Sequence, residues 1–291
     1  MGRTIACANQ KGGVGKTTTV VNLATSLANA GQHVLVLDLD PQGNATSGFG
    51  IDRAALSMTL YDVLLGDSDL STVVVSSGIE GCDLAPGSVS MAGAEVELAT
   101  APQRERRLLR ALAGSAEDYD VILLDCPPSL GLLTVNALTA ADAVLIPTQC
   151  EYYALEGLSQ LIATLNLVRD NLNPGLAIEG VVLTMYDART NLSADVASEV
   201  RGHFGSAVFE TVIPRSVRLS EAPSFGLPIA RYRPDSRGAI AYDALAAEML
   251  ARDPGQRMSP PRAVEAPNGT THLDRGVTNA DATAEPVGAR A

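Results

Sequence analysis

The stretch that most limits what this 291-residue chain can become is Gln10-Lys11-Gly12-Gly13-Val14-Gly15-Lys16-Thr17-Thr18. An apolar run, Thr4-Ile5-Ala6-Cys7-Ala8, precedes it and reads as a short buried strand. Residues 20–28 follow, with apolar side chains at helical spacing. Strand, glycine loop and helix in that order are the context of a phosphate-binding loop. The three glycines let the backbone curl so that successive N–H groups face one anion. The helix beginning near Lys16 adds its positive end. Lys16 is then placed to reach β- and γ-phosphates, and the Thr17 hydroxyl is placed for Mg2+. Gly12, Gly13, Val14, Gly15 and Thr18 complete the cradle.

Two features set this loop apart. It carries Gln10 where the pattern G-x-x-x-x-G-K-[ST] has its first glycine, and it starts with a second lysine. Lys11 and Lys16 are the only lysines in the chain; the other 19 basic residues are arginine. A compact ammonium fits between phosphate oxygens where a wide guanidinium does not.

The rest of the chain alternates strand and helix patterns. Apolar runs ending in acid at 32–38 and 119–125 read as parallel strands buried on both faces. Further strands are expected at 82–85, 143–147, 178–185 and 208–213. Helices are expected at 60–65, 95–112, 130–140, 154–168, 193–204 and 237–250, with a looser stretch over 43–81. This predicts an α/β fold, a doubly wound and mainly parallel sheet with helices on both faces. Right-handed crossovers place the loops after the strands along one edge. The phosphate loop, Asp40, Asp125 and the segment at Pro214 then converge on one nucleotide. Asp125 ends a buried strand beside the loop, the position of a Mg2+ carboxylate. Asp38, by its place alone, reads as an ordinary helix-cap or turn acid.

One domain is expected over 1–252. From 253 the periodicity stops, and five prolines fall in the last 39 residues, which reads as a disordered tail. No apolar run of about 18 residues is present, so no membrane span is expected. The start of the chain enters a strand at once, which leaves no signal peptide in prospect. Four scattered cysteines without a C-x-x-C pair fit reduced thiols and a cytoplasmic location. The net charge of −12 argues against a general nucleic-acid surface. It is uneven: between positions 187 and 237 seven arginines face six acids, a local +1 against −13 elsewhere. The run Arg104, Arg106, Arg107 and Arg110 reads as a solvated face or, alternatively, a partner or DNA contact.

Lys11-Gly12-Gly13-Val14-Gly15-Lys16-Thr17 resembles the deviant Walker A loop of the ParA/MinD ATPases. Asp38-Leu39-Asp40-Pro41-Gln42-Gly43-Asn44, Asp125-Cys126-Pro127-Pro128 and the stretch from Pro214 to Ser224 are similar to the next motifs of the ParA branch, and the likeness runs from about residue 3 to about 250. The resemblance implies a P-loop NTPase fold with ATP and Mg2+ as cofactors. It implies that Asp40 positions the attacking water, with Asp38 as a supporting acid of the site rather than a turn acid, and that Lys11 reaches a partner's ATP in an ATP-dependent homodimer. It places Pro214 and Ser216 at the base, with Ser216 standing where the family usually has asparagine. It places Arg189 and Arg218 at non-specific double-stranded DNA, or else as surface arginines paired with carboxylates. A ParB-type centromere-binding protein would stimulate slow hydrolysis during chromosome or plasmid segregation on the nucleoid. A MinD-type membrane regulator is disfavoured because the tail lacks a basic amphipathic stripe. An iron–sulfur electron donor is disfavoured because the cysteines do not match that pattern.

Overall fold

The structure, a computed structural model, describes residues 2–262 apart from 67, 115, 116, 153, 254 and 256. Its elements in order are β1 (Arg3–Cys7), α1 (Lys16–Asn29), β2 (Val34–Asp38), α2 (Asn44–Gly48), α3 (Leu60–Leu65), β3 (Val75–Ile79), β4 (Cys82–Ala85), α4 (Met91–Leu98), α5 (Arg107–Leu112), β5 (Val121–Asp125), α6 (Leu132–Ala140), β6 (Ala143–Gln149), α7 (Ala154–Asn171), β7 (Ala177–Thr184), α8 (Asn191–Phe204), α9 (Val217–Glu221), α10 (Ile229–Tyr232) and α11 (Arg237–Ala251). The sheet runs β3-β4-β2-β5-β1-β6-β7, and every neighbouring pair is parallel except β3 with β4.

The continuous apolar runs have the expected consequence. Leu35, Leu37, Ile122 and Leu124 face a core shared with α3 to α8. Val34, Val36, Val121 and Leu123 face the opposite core, built on α1 and α11. Each fully buried side chain of this size contributes about 1.5–3 kcal/mol. The sheet is therefore doubly wound. With its strands parallel, it points the ends of β1, β2, β5 and β7 to one edge, as the sequence pattern implied.

The structure corrects several elements. The single helix expected over 95–112 is two, α4 and α5. Pro102 lies between them, where its ring disfavours helical torsions in the residue before it, and Gln103 takes φ 51°. The strand expected over 208–213 is only two contacts with β7. Phe209 N donates to Val181 O and Ile213 N to Leu183 O. The intervening N–H groups of Glu210 and Thr211 turn away to the Glu248 carboxylate. The loose stretch over 43–81 contains the expected helix as α3 and, beyond it, α2 and the antiparallel edge strand β3, whose pairing with β4 shifts register between Ser76 and Ile79.

The tail expected from 253 lies, over 263–291, outside the described residues. Before that point the chain is still docked. Ile178 N donates to Met258 O at 2.7 Å, Arg257 sits 2.7 Å from the buried Glu179, and Asn166 Nδ2 donates to Pro261 O at 2.8 Å. Among the described residues no helix is long and apolar enough to cross a membrane, and all four cysteines are free and buried.

Candidate nucleotide-binding site

Between β1 and α1 the chain turns on Gly13 (φ 74°) and Gly15 (φ 90°), torsions that side chains other than glycine rarely adopt. Gly15 is the N-cap of α1 and supplies no side-chain cap; no acid lies in the first turn. The first N–H groups of a 14-residue helix therefore remain open to an anion. Two side chains that sequence reasoning missed brace this loop. Asn9 accepts from Lys11 N through Oδ1 at 3.0 Å and donates to Pro147 O at 2.8 Å. Thr184, at the end of β7, donates to Val14 O at 2.8 Å.

The two lysines divide. Lys16 is buried, and its Nζ folds over the loop to donate to Lys11 O at 3.4 Å. Lys11 points elsewhere. Its half-exposed ammonium pairs with Glu151 Oε2 at 2.9 Å, and the other Glu151 oxygen accepts from Gln149 Nε2 at 2.6 Å.

Beside the loop, β2 and β5 end in register, with Asp38 opposite Asp125. Asp125 is fully buried, and neither of its oxygens has a hydrogen-bond partner. Burial, and next the Asp38 carboxylate, push its carboxyl well above the usual range; the Thr17 hydroxyl and Lys16 act the other way. A buried carboxylate left without partners is costly. A divalent cation would remove that cost, so the orphaned oxygens of Asp125 and the hydroxyl of Thr17 fit Mg2+.

Asp38 is different. Thr46 donates to Oδ2 from both its backbone N–H (2.8 Å) and its hydroxyl (2.6 Å), and Asp40 N donates to Oδ1 at 3.3 Å. Asp38 ties the start of α2 to the sheet as a turn acid does, and through Asp40 N it also supports the loop that carries Asp40. Burial pushes its carboxyl up to about 6 against those donors. Asp40, in the loop that Asp38 anchors, accepts from Gln42 N at 2.9 Å.

A further wall beside the loop is made by the segment after β7. Ile213 N donates to Leu183 O, Tyr186 N to Ile213 O and Arg215 N to Tyr186 O, which stitches Pro214 to the strand end. The result is a cavity of about 360 Å³ lined by Gly15, Thr18, Met185, Pro214, Ser216 and Leu219, among others. It opens directly from the phosphate loop, so Pro214 and Ser216 are brought beside it. Farther on, the backbones of Gly50 and Gly226 touch. Both have positive φ, and a Cβ on Gly50 would lie 2.8 Å from Gly226 O. This contact holds the end of α2 against the end of the segment that follows Pro214.

A family model described as an AAA domain matches residues 2–178. The sporulation initiation inhibitor protein Soj of Bacillus subtilis is 57% identical over 251 residues, which is 86% of this chain and 99% of Soj. The chromosome partitioning protein ParA of Myxococcus xanthus is 53% identical over 253 residues, 87% of this chain and 89% of that one. The crystal structure described as cobyrinic acid a,c-diamide synthase from Mycobacterium smegmatis, with bound ADP and magnesium, superposes with a TM-score of 0.78 at 40% identity, over 89% of this chain and 99% of that one. The chain belongs to the Soj/ParA family of chromosome-partitioning ATPases.

In this Soj/ParA ATPase the two arginines placed at DNA by resemblance both have carboxylate partners. The exposed Arg189 forms a fork on Asp187, Nε at 2.9 Å and Nη2 at 2.7 Å. The guanidinium holds the Asp187 carboxyl well below the usual range. Arg218 donates to Glu221 at 2.7 Å. Of the basic run at 104–110, Arg104, Arg106 and Arg110 are solvent-exposed, as expected of a solvated face, whereas Arg107 is half-buried with its Nε out of solvent.

Proposed function

We propose that this chain is an ATP-driven switch for DNA segregation, in which two copies close on ATP, bind double-stranded DNA through phosphates, and release it after hydrolysis. The observation that carries the reading is the division of labour between Lys16 and Lys11. Lys16 lies over its own loop. Lys11 leaves that loop and rests on an exposed counter-ion, available to a nucleotide held by a second copy.

Within one copy, the backbone of residues 12–18 and the Lys16 ammonium hold the phosphates. Thr17 and Asp125 would hold Mg2+, which neutralises phosphate charge that develops in the transfer. Asp40 is the group that positions water, held at the nucleotide edge by the Asp38–Thr46 anchor. Lys11 supplies positive charge to the partner copy's phosphates, where it would act as an arginine finger does. Pro214 and Ser216 border the base. Arg189 and Arg218 contact DNA phosphates, so recognition is without sequence preference. A ParB-type centromere-binding partner accelerates an otherwise slow hydrolysis, and the protein works in the cytoplasm on the nucleoid.

A chain of net charge −12 is repelled by DNA, and one copy offers few phosphate contacts. Closing two copies doubles them. Each contact contributes about 0.9 to the slope of log affinity against log salt, so the ATP form should show about twice the slope of the ADP form. DNA binding measured with ATP, ADP and no nucleotide over a salt series tests this. Equal affinity and slope in all three states would overturn it. Arg189→Glu with Arg218→Glu should lose DNA binding and keep ATP-dependent dimerisation.

A further inference from the structure

Asp40 sits in a turn that Arg53 closes from the solvent side. Within the turn, Gly43 N donates to Asp40 O at 2.8 Å and Gln42 N to Asp40 Oδ1 at 2.9 Å. Asp40 N donates in turn to Asp38 Oδ1 at 3.3 Å. Among the described residues no donor reaches Asp40 Oδ2, which leaves that oxygen for a water.

One acceptor of the turn is left over. The first helical bond of α2 runs from Ser47 N to Gly43 O, so Gln42 O, one residue earlier, lies outside the helix ladder. Arg53 Nη1 donates to it. The chain brings Arg53 there by reversing at Gly50, with Ile51 N bonded back to Thr46 O at 3.2 Å. Gly43, with φ 61°, makes the room, since a Cβ on it would lie 2.8 Å from Arg53 Cδ. The peptide between Gln42 and Gly43 is thus held at both ends, its oxygen by Arg53 and its N–H by Asp40 O.

Arg53 is exposed, yet among the described residues it has no carboxylate partner. The acid beside it, Asp52, accepts instead from Ala54 N at 3.0 Å. The charge of Arg53 is therefore directed at one carbonyl, and a charge-assisted donor holds a carbonyl more firmly than a neutral one does.

We propose that Arg53 is a positioning residue for hydrolysis: its guanidinium on Gln42 O closes the Asp40 turn and so fixes the Asp40 carboxylate against the attacking water. This rests on the reading of Asp40 as the group that positions water. Asp38 and Thr46 anchor the turn to the sheet, and Arg53 anchors it at the surface. A reacting group misplaced by about 1 Å can cost about a hundredfold in rate. Losing one anchor of two should cost part of that.

The test is single-turnover hydrolysis of ATP with Mg2+ by the full chain, alongside calorimetric ATP binding and sizing chromatography. Arg53→Met keeps the length of the stem and removes its donors; Arg53→Lys keeps a cationic donor. Arg53→Met should hydrolyse about tenfold more slowly while keeping ATP affinity within about twofold, the split expected of a group that acts only in the transition state. ATP-dependent dimerisation should persist. Arg53→Lys should return to within about threefold of wild type. In an Asp40→Ala background, Arg53→Met should slow hydrolysis by no more than about twofold, because residues that act as one unit are not additive. Wild-type hydrolysis in Arg53→Met, an equal loss of ATP affinity, or loss of dimerisation would overturn the proposal. So would failure of Arg53→Lys to recover, or a full further loss in the Asp40→Ala background. Unimpaired hydrolysis in Asp40→Ala alone is a separate result: the reading of Asp40 then falls, and this inference with it.

Discussion

At the phosphate end of the cleft the chain uses the tips of three central strands, β1, β5 and β2, together with the start of α1. At the base end it uses the edge strand β7 and an irregular segment from 213 to 227. The first end is polar and charged: a buried lysine, open helix N–H groups and an orphaned carboxylate. The second is mostly apolar, and its few polar groups are hydroxyls and Arg215. Under the proposed function, in which the first end grips phosphates and the second the base, the difference follows from what each end grips. Phosphates are recognised by charge and backbone N–H groups, which regular elements hold in fixed directions. A base is recognised by shape, which an irregular segment can mould. The phosphate end should therefore carry most of the affinity, and the base end should tune it.

Lys16→Ala attacks the first end directly. Charge-assisted hydrogen bonds are worth about 1.5–3 kcal/mol each; losing two should weaken ATP by at least a hundredfold, to effective loss of binding by calorimetry. Near-normal affinity would mean that the two ends share the load equally.

Asp40→Ala separates holding from hydrolysing. ATP binding and dimerisation should persist while turnover falls by about 10² or more, read by phosphate release and sizing chromatography. The variant should be trapped on DNA, and unimpaired turnover would assign the water to another group.

Asp125→Asn exposes a stability that the phosphate end gives up. The Asp38 carboxyl is raised from 3.8 to about 6 in the fold, chiefly by burial. The fold therefore gains from protonation: this contribution is complete below about pH 4 and is lost as pH rises through 6. The Asp125 carboxyl shifts in the same direction. Removing the Asp125 charge should raise the stability of the nucleotide-free protein at pH 7.5 by about 2 kcal/mol, and by less at pH 4, read by thermal unfolding at both. The same variant should hydrolyse ATP poorly. Equal gaps at the two pH values would deny the strain.

Ser216→Asn is the smallest step. An amide offers adenine a donor and an acceptor where serine offers one hydroxyl. The ratio of ATP to GTP affinity should rise by only a few-fold, about the 0.5–1.5 kcal/mol of a net hydrogen bond. A change as large as that of Lys16→Ala would erase the contrast between the two ends.

Legibility in the sequence follows the same division. The loop from Gln10 to Thr18 was readable because its function lies in contiguous residues, their backbone torsions and the helix they start. Asp125 was readable because a long apolar run ends on it. The segment after β7 was not. The strand expected at 208–213 looked apolar enough, but Glu248 from α11 takes two of its N–H groups. Pro102 likewise split a helix that propensity alone would have continued.

The sequence by itself determined the sheet's class, the phosphate loop and the acids beside it, since each depends on neighbours along the chain. Only the tertiary structure decided which distant groups meet. Thr184 clamps the loop from 170 residues away, and Glu151 holds Lys11 from 140 residues away. It also gave Asp38 its partner: Asp38 lies opposite the orphaned Asp125 yet is satisfied by Thr46. The physical reason is strand order: β6 lies beside β1 and β7 beside β6 because crossovers set the sheet, and no local pattern in residues 1–20 encodes which side chains those strands will deliver.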